Sequence, residues 1–187
     1  MAGGRPKGRK FGWSKLRKML DPRRVRRDLK KNLRRAHHRV GQKFVQMVKD
    51  KLSSSEGIVG NAPLTIALKG SSKPLINHGD LFGSVTYNVP RFHTLRIGVS
   101  SRMLPSGRTL AEVLHNGATI PVTTAMRRAV AARLRERGNV VLPSVGGKQF
   151  WHIPARPFLR DVFESSEFIE FAQRQYEAAV AKTMAVT

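Results

Sequence analysis

Apolar residues recur at Val25, Leu29, Leu33, Ala36, Val40, Phe44, Met47, Val48 and Leu52. Steps of three and four draw one stripe down a helix. Asp21 is placed to accept from the first free N–H groups, and Pro22 suits the first helical position because its φ is already set. The spacing therefore predicts a helix over 21–52, roughly 45 Å long at ~1.5 Å per residue. Ser53–Ser55, Gly57 and Gly60 end it.

The pattern then changes. Residues 53–80 are rich in turn formers, with one short apolar segment from Leu64 to Leu68. Leu81–Val89 and Thr94–Val99 carry the β-branched and aromatic residues of strands, and Pro90–His93 joins them as a hairpin. Leu110–Leu114 reads as a short helix closed by Asn116-Gly117, and Ala118–Val122 as a strand. Thr123 and Thr124 cap a helix over Ala125–Arg137, stopped by Gly138. Val140–Leu142 and Gln149–Ile153 read as strands around the Pro143–Gly147 loop. The last helix begins at Ser165/Ser166, with Glu164 and Glu167 near its positive end, and runs to about Met184. The expected class is α+β: a long basic N-terminal helix, a small antiparallel sheet and a C-terminal helix packed on it. Residues 1–20 are read as an irregular basic arm, and 21–187 as one domain.

Charge sharpens this picture. From Arg5 to Lys51 there are 19 Lys and Arg against three acids, so +16 of the chain's +23 lies in that stretch. Arg23, Arg24, Arg26, Arg27, Lys30, Lys31, Arg34 and Arg35 cover the faces of the first helix outside its apolar stripe. Such a concentration repels itself unless a polyanion or an acidic partner relieves it. The absence of cysteine excludes disulfides and thiolate chemistry. No apolar run reaches the ~18 residues that a membrane span needs. The basic N-terminus has no apolar run behind it, so it is not read as a secretory signal; Asp21 and Asp28 interrupt what would suit a transit peptide.

Catalytic constellations are sparse, and no metal or cofactor is expected. His37-His38 sit among arginines that disfavour a bound cation, and are read as solvated polar residues. In His78-Gly79-Asp80 a carboxylate beside an imidazole could orient it, but a turn before a strand explains the same residues. His115-Asn116 matches part of a His-Asn-His nuclease site without a third ligand. Pro143–Lys148 is either a phosphate cradle or a hairpin loop; Phe150-Trp151-His152 is either a stacking platform or a half-buried strand. The chain is read as not an enzyme.

Three segments carry a resemblance. Asn77–Val85, which holds Gly79, Leu81 and Ser84, is similar to a "TG-x-L-x-x-S-I/V" motif leading into a strand. Ala111–Gly117, which holds His115 and Gly117, is similar to "Y-A-x-x-H-x-x-G". Ile153–Leu159 matches "I-P-A-R-P-F-L" almost letter for letter through Pro154, Ala155, Arg156, Pro157 and Phe158. In this order, over about residues 20–183, they resemble the virion-morphogenesis or tail-completion (neck) proteins of tailed bacteriophages, including the Mu-like group. The chain departs from that pattern at His78 where Thr is usual, at Leu110 or Ala111 in place of Tyr, in a shortened His-to-Gly spacing, and at Arg160 where Gly often follows.

Independently of the resemblance, Pro154 and Pro157 bracket Ala155-Arg156 and each biases the residue before it to extended geometry, and Phe158 and Leu159 would anchor this connector to the core. The Arg156 guanidinium would then reach a partner on its own subunit or on the next. The resemblance implies a structural virion protein, assembled in the host cytoplasm, that forms a six-fold or twelve-fold ring at the neck or the proximal end of the tail. Its implied partners are itself, neighbouring connector, tail-terminator or tail-tube proteins, and packaged DNA, with no membrane. The basic helix would face DNA or an acidic neighbouring ring. The alternatives are an RNA-bound structural protein of ribosomal type and, third, a metal-dependent DNA-processing enzyme.

Overall fold

Asp21 starts the longest element: its carboxylate accepts from the Arg23 N–H at 3.0 Å, and Pro22 opens helix α1 (Pro22–Ser54). The structure is a computed structural model and describes residues 12, 13, 17, 21–76, 79–100, 104, 107–138 and 149–185. Of the basic arm, only Gly12, Trp13 and Arg17 fall within this set. His78, the strand expected at Val140–Leu142 and the Pro143–Lys148 loop lie outside the described residues.

The remaining elements run α2 (Pro63–Lys69), α3 (Asp80–Ser84), β1 (Val85–Arg91), β2 (Thr94–Val99), α4 (Leu110–Asn116), β3 (Ala118–Pro121), α5 (Thr124–Glu136), β4 (Phe150–Ile153), α6 (Phe158–Phe163) and α7 (Ser166–Met184). The fold is α+β, with α7 lying along α1. In place of one small sheet there are two antiparallel pairs, β1 with β2 and β3 with β4. The strand expected from Leu81 begins only at Val85. Leu81 and Val85, four residues apart and both buried, suit a helical turn as well as a strand, and α3 supplies that turn. Leu64–Leu68 belongs to a helix, α2, between Pro63 and Gly70. A further helix, α6, occupies the stretch before α7, where only a connector was expected.

The core forms where α1, α7, α6 and the β1–β2 hairpin meet. Val40, Phe44, Val48 and Leu52 come from α1, Leu81 and Val85 from the α3–β1 junction, Ala111 from α4, Phe158 and Val162 from α6, and Phe168 from α7. Phe44 and Phe168 meet edge to face with centroids 5.1 Å apart. All three motif segments thus contribute to one cluster, so each has a packing reason to hold its residues. Full burial of each of the valine, leucine and phenylalanine side chains contributes about 1.5–3 kcal/mol.

Polar contacts fix α7 and α6 on α1. Asn32 Nδ2 donates to Thr183 Oγ1 at 3.1 Å, and both residues are buried. Lys43 and Lys51 of α1 pair with Glu167 and Asp161, each at 2.7 Å. His37, expected to be solvated, is buried beside α7, with its Nδ1 2.9 Å from the Tyr176 hydroxyl.

Candidate nucleic-acid interface

The first half of α1 faces the tip of the β1–β2 hairpin across an open groove of about 1100 Å³. Arg23, Arg26 and Arg27 line its first turns, and Lys30, Lys31, Arg34 and Arg35 continue it. His38 and Phe92 complete the lining. Seven cations at helical spacing fall on one side because the apolar stripe of α1 is turned toward α7 and the hairpin. Arg24 is the exception among the arginines expected to contact a polyanion. It is half-buried, its Nε lies 3.4 Å from Asp28 Oδ2, and it does not line the groove.

Charge in the groove is largely uncompensated. Asp28 also meets Arg27 at 3.3 Å, whereas Arg23, Arg26, Lys30, Lys31, Arg34 and Arg35 make no ion pair among the described residues. The hairpin adds an aromatic edge. Lys30 Nζ stands 5.4 Å from the centre of the Phe92 ring, and Phe92 meets His93 with centroids 4.8 Å apart. An elongated row of unpaired cations matches the regular charge of a phosphate backbone, and contacts of that kind carry no base information.

Beneath the groove lies His37. Burial lowers its pKa from the usual 6.5, the Phe92 backbone near the ring opposes that shift, and the neighbouring His38 and His93 add to it. Burial also raises the Tyr176 pKa, so the pair is held neutral. His37 Nε2 is enclosed and makes no hydrogen bond among the described residues. The spacing Leu33–His37–Val40–Phe44 follows the apolar stripe, and this is the signal that places His37 inside.

The motif residues form a second, separate arrangement. Gly79 precedes α3 with φ +87°, Leu81 enters the core, and Ser84 Oγ donates to the Leu81 carbonyl at 2.8 Å. The Arg156 N–H points to the Leu114 and His115 carbonyls, 3.1 Å from each, which ties the third motif to the second. His115 packs its ring edge-on to Phe158 at 5.7 Å. Gly117 closes α4 directly against Ala155, following Pro154 and preceding the Pro157 that opens α6.

Arg156 itself is buried within its own chain. Its Nε donates to the Val59 carbonyl at 2.8 Å, and its Nη2 to the Gly60 carbonyl at 3.1 Å and to Asn61 Oδ1 at 3.4 Å. Among the described residues no carboxylate pairs with it. Carbonyls of the loop after α1 thus engage its Nε and Nη2, which gives Arg156 a partner on its own subunit.

Among the described residues the fragments of catalytic constellations do not converge. Asp80 lines a cavity with Leu114 and His152, while His115 lines another with Phe44 and Phe163. Among the described residues no three His, Asp or Glu gather as metal ligands. Phe150-Trp151-His152 forms β4, with Trp151 opposite Ile120 and His152 Nδ1 2.8 Å from Thr119 Oγ1. Among the described residues no helix is long and apolar enough to cross a membrane.

Comparison with protein-family models, with curated proteins and with solved structures finds no match.

Proposed function

We propose that this chain is a structural protein of a tailed-phage virion, which assembles as a ring of its own copies at the head–tail junction and holds DNA through the phosphate backbone along α1. The observation that carries the DNA contact is the groove in which seven cations of α1 face the hairpin tip. The place in the particle rests on the resemblance of three ordered segments to neck and tail-completion proteins. Such a protein needs no reacting groups; it needs a rigid helix that presents charge and a core that holds it, and α1 serves both ends through its two faces. Its six-fold or twelve-fold order follows from the resemblance alone.

The test is electron microscopy of particles made without this chain. Separate full heads and tails, joined again when the chain is supplied, are expected. Joined, infectious particles in its absence would refute the neck role. Co-purification with ribosomal RNA and absence from virions would favour an RNA-bound structural protein instead.

A further inference from the structure

A second cavity, of about 630 Å³, lies on another part of the molecule, between α2, α4, α5 and the end of β4. It is neither part of the basic groove nor used by the DNA-binding reading. Leu68, Leu75, Leu114 and Ile153 give it an apolar floor. On one side three cations from two helices converge. Arg133 lies in the last turn of α5, Arg137 directly follows that helix, and Lys69 ends α2. The Arg137 guanidinium reaches across to Gly70 at the end of α2, where a Cβ would fall 2.6 Å from its Nη1. None of the three makes an ion pair among the described residues. The single acid in the lining, Asp80, leaves the cavity positive. Burial, with Arg156 nearby, lowers the Lys69 pKa, as happens where a cation is partly desolvated without an anion.

We propose that this cavity is a docking site for an acidic, apolar peptide segment of a different protein. Charge complementarity selects the acid: carboxylates on the segment would meet Lys69, Arg133 and Arg137, while its apolar side chains fill the floor. The surroundings favour a protein over a small amphiphile. Leu110 in the lining is 37% exposed, and Val59 and Ile66, at 53% and 37%, flank the lining residues in sequence. An exposed apolar residue in the lining, beside an apolar floor, is surface that a protein partner covers. A second copy of this chain is a poor occupant. Its acidic, apolar stretch at the α6–α7 junction already spends Asp161 on Lys51, Glu164 on Arg160 and Glu167 on Lys43.

The experiment is fluorescence anisotropy at physiological salt, with the full chain and a short fluorescein-labelled peptide alternating Glu and Leu. A peptide of equal charge with Ser in place of Leu is the control for plain electrostatic attraction. The Glu/Leu peptide should bind, and the Glu/Ser peptide roughly tenfold or more weakly. Arg133→Glu with Arg137→Glu, at exposed positions at the end of α5, should weaken the Glu/Leu peptide at least as much, and Leu110→Ser should weaken it while leaving the thermal melt in place. Arg26→Gln with Lys30→Gln in the groove should leave it unchanged. Lys69→Gln repeats the test from α2 should the α5 reversal disturb folding. Equal binding of both peptides, loss caused by the groove variant, or no loss in the Lys69 and α5 variants would overturn the proposal. Binding of dodecanoate but not of the peptide would assign the cavity to a small amphiphile and likewise overturn it, and tighter binding of a peptide copying residues 161–171 would do so in favour of a second copy.

Discussion

The Tyr87 ring fills the space that a side chain at Gly41 would need: a Cβ built there would fall 2.4 Å from Tyr87 Cδ2. Glycine within a helix costs about 1 kcal/mol relative to alanine. In α1 that cost lets β1 lie against the helix, with the Tyr87 hydroxyl 3.4 Å from His38 Nδ1. The hairpin is thereby seated so that Phe92 borders the cationic row.

Gly41→Ala is therefore expected to destabilise the protein by about 1–2 kcal/mol, because displacement of an aromatic ring outweighs the gain in helix propensity. A chemical-denaturation series on the two proteins measures it. A stabilised Gly41→Ala would show that the hairpin does not rest on α1 at this point.

Gly117 plays the corresponding part between the second and third motifs. Its φ is +76°, and a Cβ would meet the Ala155 nitrogen and the Ile153 oxygen, both at 2.8 Å. Backbone atoms cannot swing away as a flexible side chain can. Gly117→Ala should cost about 2–4 kcal/mol, from the left-handed backbone and the close contact together. A thermal melt unchanged by the substitution would rule out this junction.

Arg156→Ala removes a charged donor from three acceptors, Val59 O, Gly60 O and Asn61 Oδ1, and should cost about 1.5–3 kcal/mol. Arg156→Lys should recover little, since an ammonium lacks the fork that spans adjacent carbonyls. Light scattering alongside the melt separates stability from assembly. Smaller oligomers with an unaltered melt would place Arg156 at a subunit interface instead.

His37 sets a pH dependence. Its folded pKa is lowered below the usual 6.5 while the unfolded chain keeps that value, so between the two the unfolded state binds more protons. Stability should be level above about pH 7 and fall as the pH drops below 6.5. His37→Gln should flatten that decline. Thermal melts from pH 7.5 to 5 test it (a range above the ordinary titration of carboxylates), and an equally steep decline in His37→Gln would assign it elsewhere.

Much of the fold was legible because its long helices carry their own signals. Asp21-Pro22 and the apolar stripe mark α1, and Ser165 marks α7 by accepting from the Phe168 N–H. The shorter elements were ambiguous for physical reasons. The run from Leu81 to Val85 satisfies both helical and strand periods, and only packing on Phe158 and α1 decides it. β3 and β4 have four residues each and pair across about 30 positions, a contact that no local pattern encodes. At the candidate interface, charge identified α1, and the Arg24–Asp28 pair is an i,i+4 contact within that helix, but the contribution of Phe92 depends on the docked hairpin. The Arg156 partners lie 95–97 residues away in sequence, beyond any spacing argument.

The most direct test of the phosphate-binding groove is the salt dependence of duplex-DNA affinity. Truncation before Leu52 is unsuitable, because Val40, Phe44 and Val48 of the same helix form the core. Substitution of Arg23, Arg26, Lys30 and Arg34 by Gln leaves that face intact. If the groove neutralises about six phosphates, its share of the slope of log affinity against log salt is about −5, and losing four cations should shrink the slope by about 3–4. A variant that folds like the parent and keeps the parent slope would contradict the assignment of the phosphate contacts to α1.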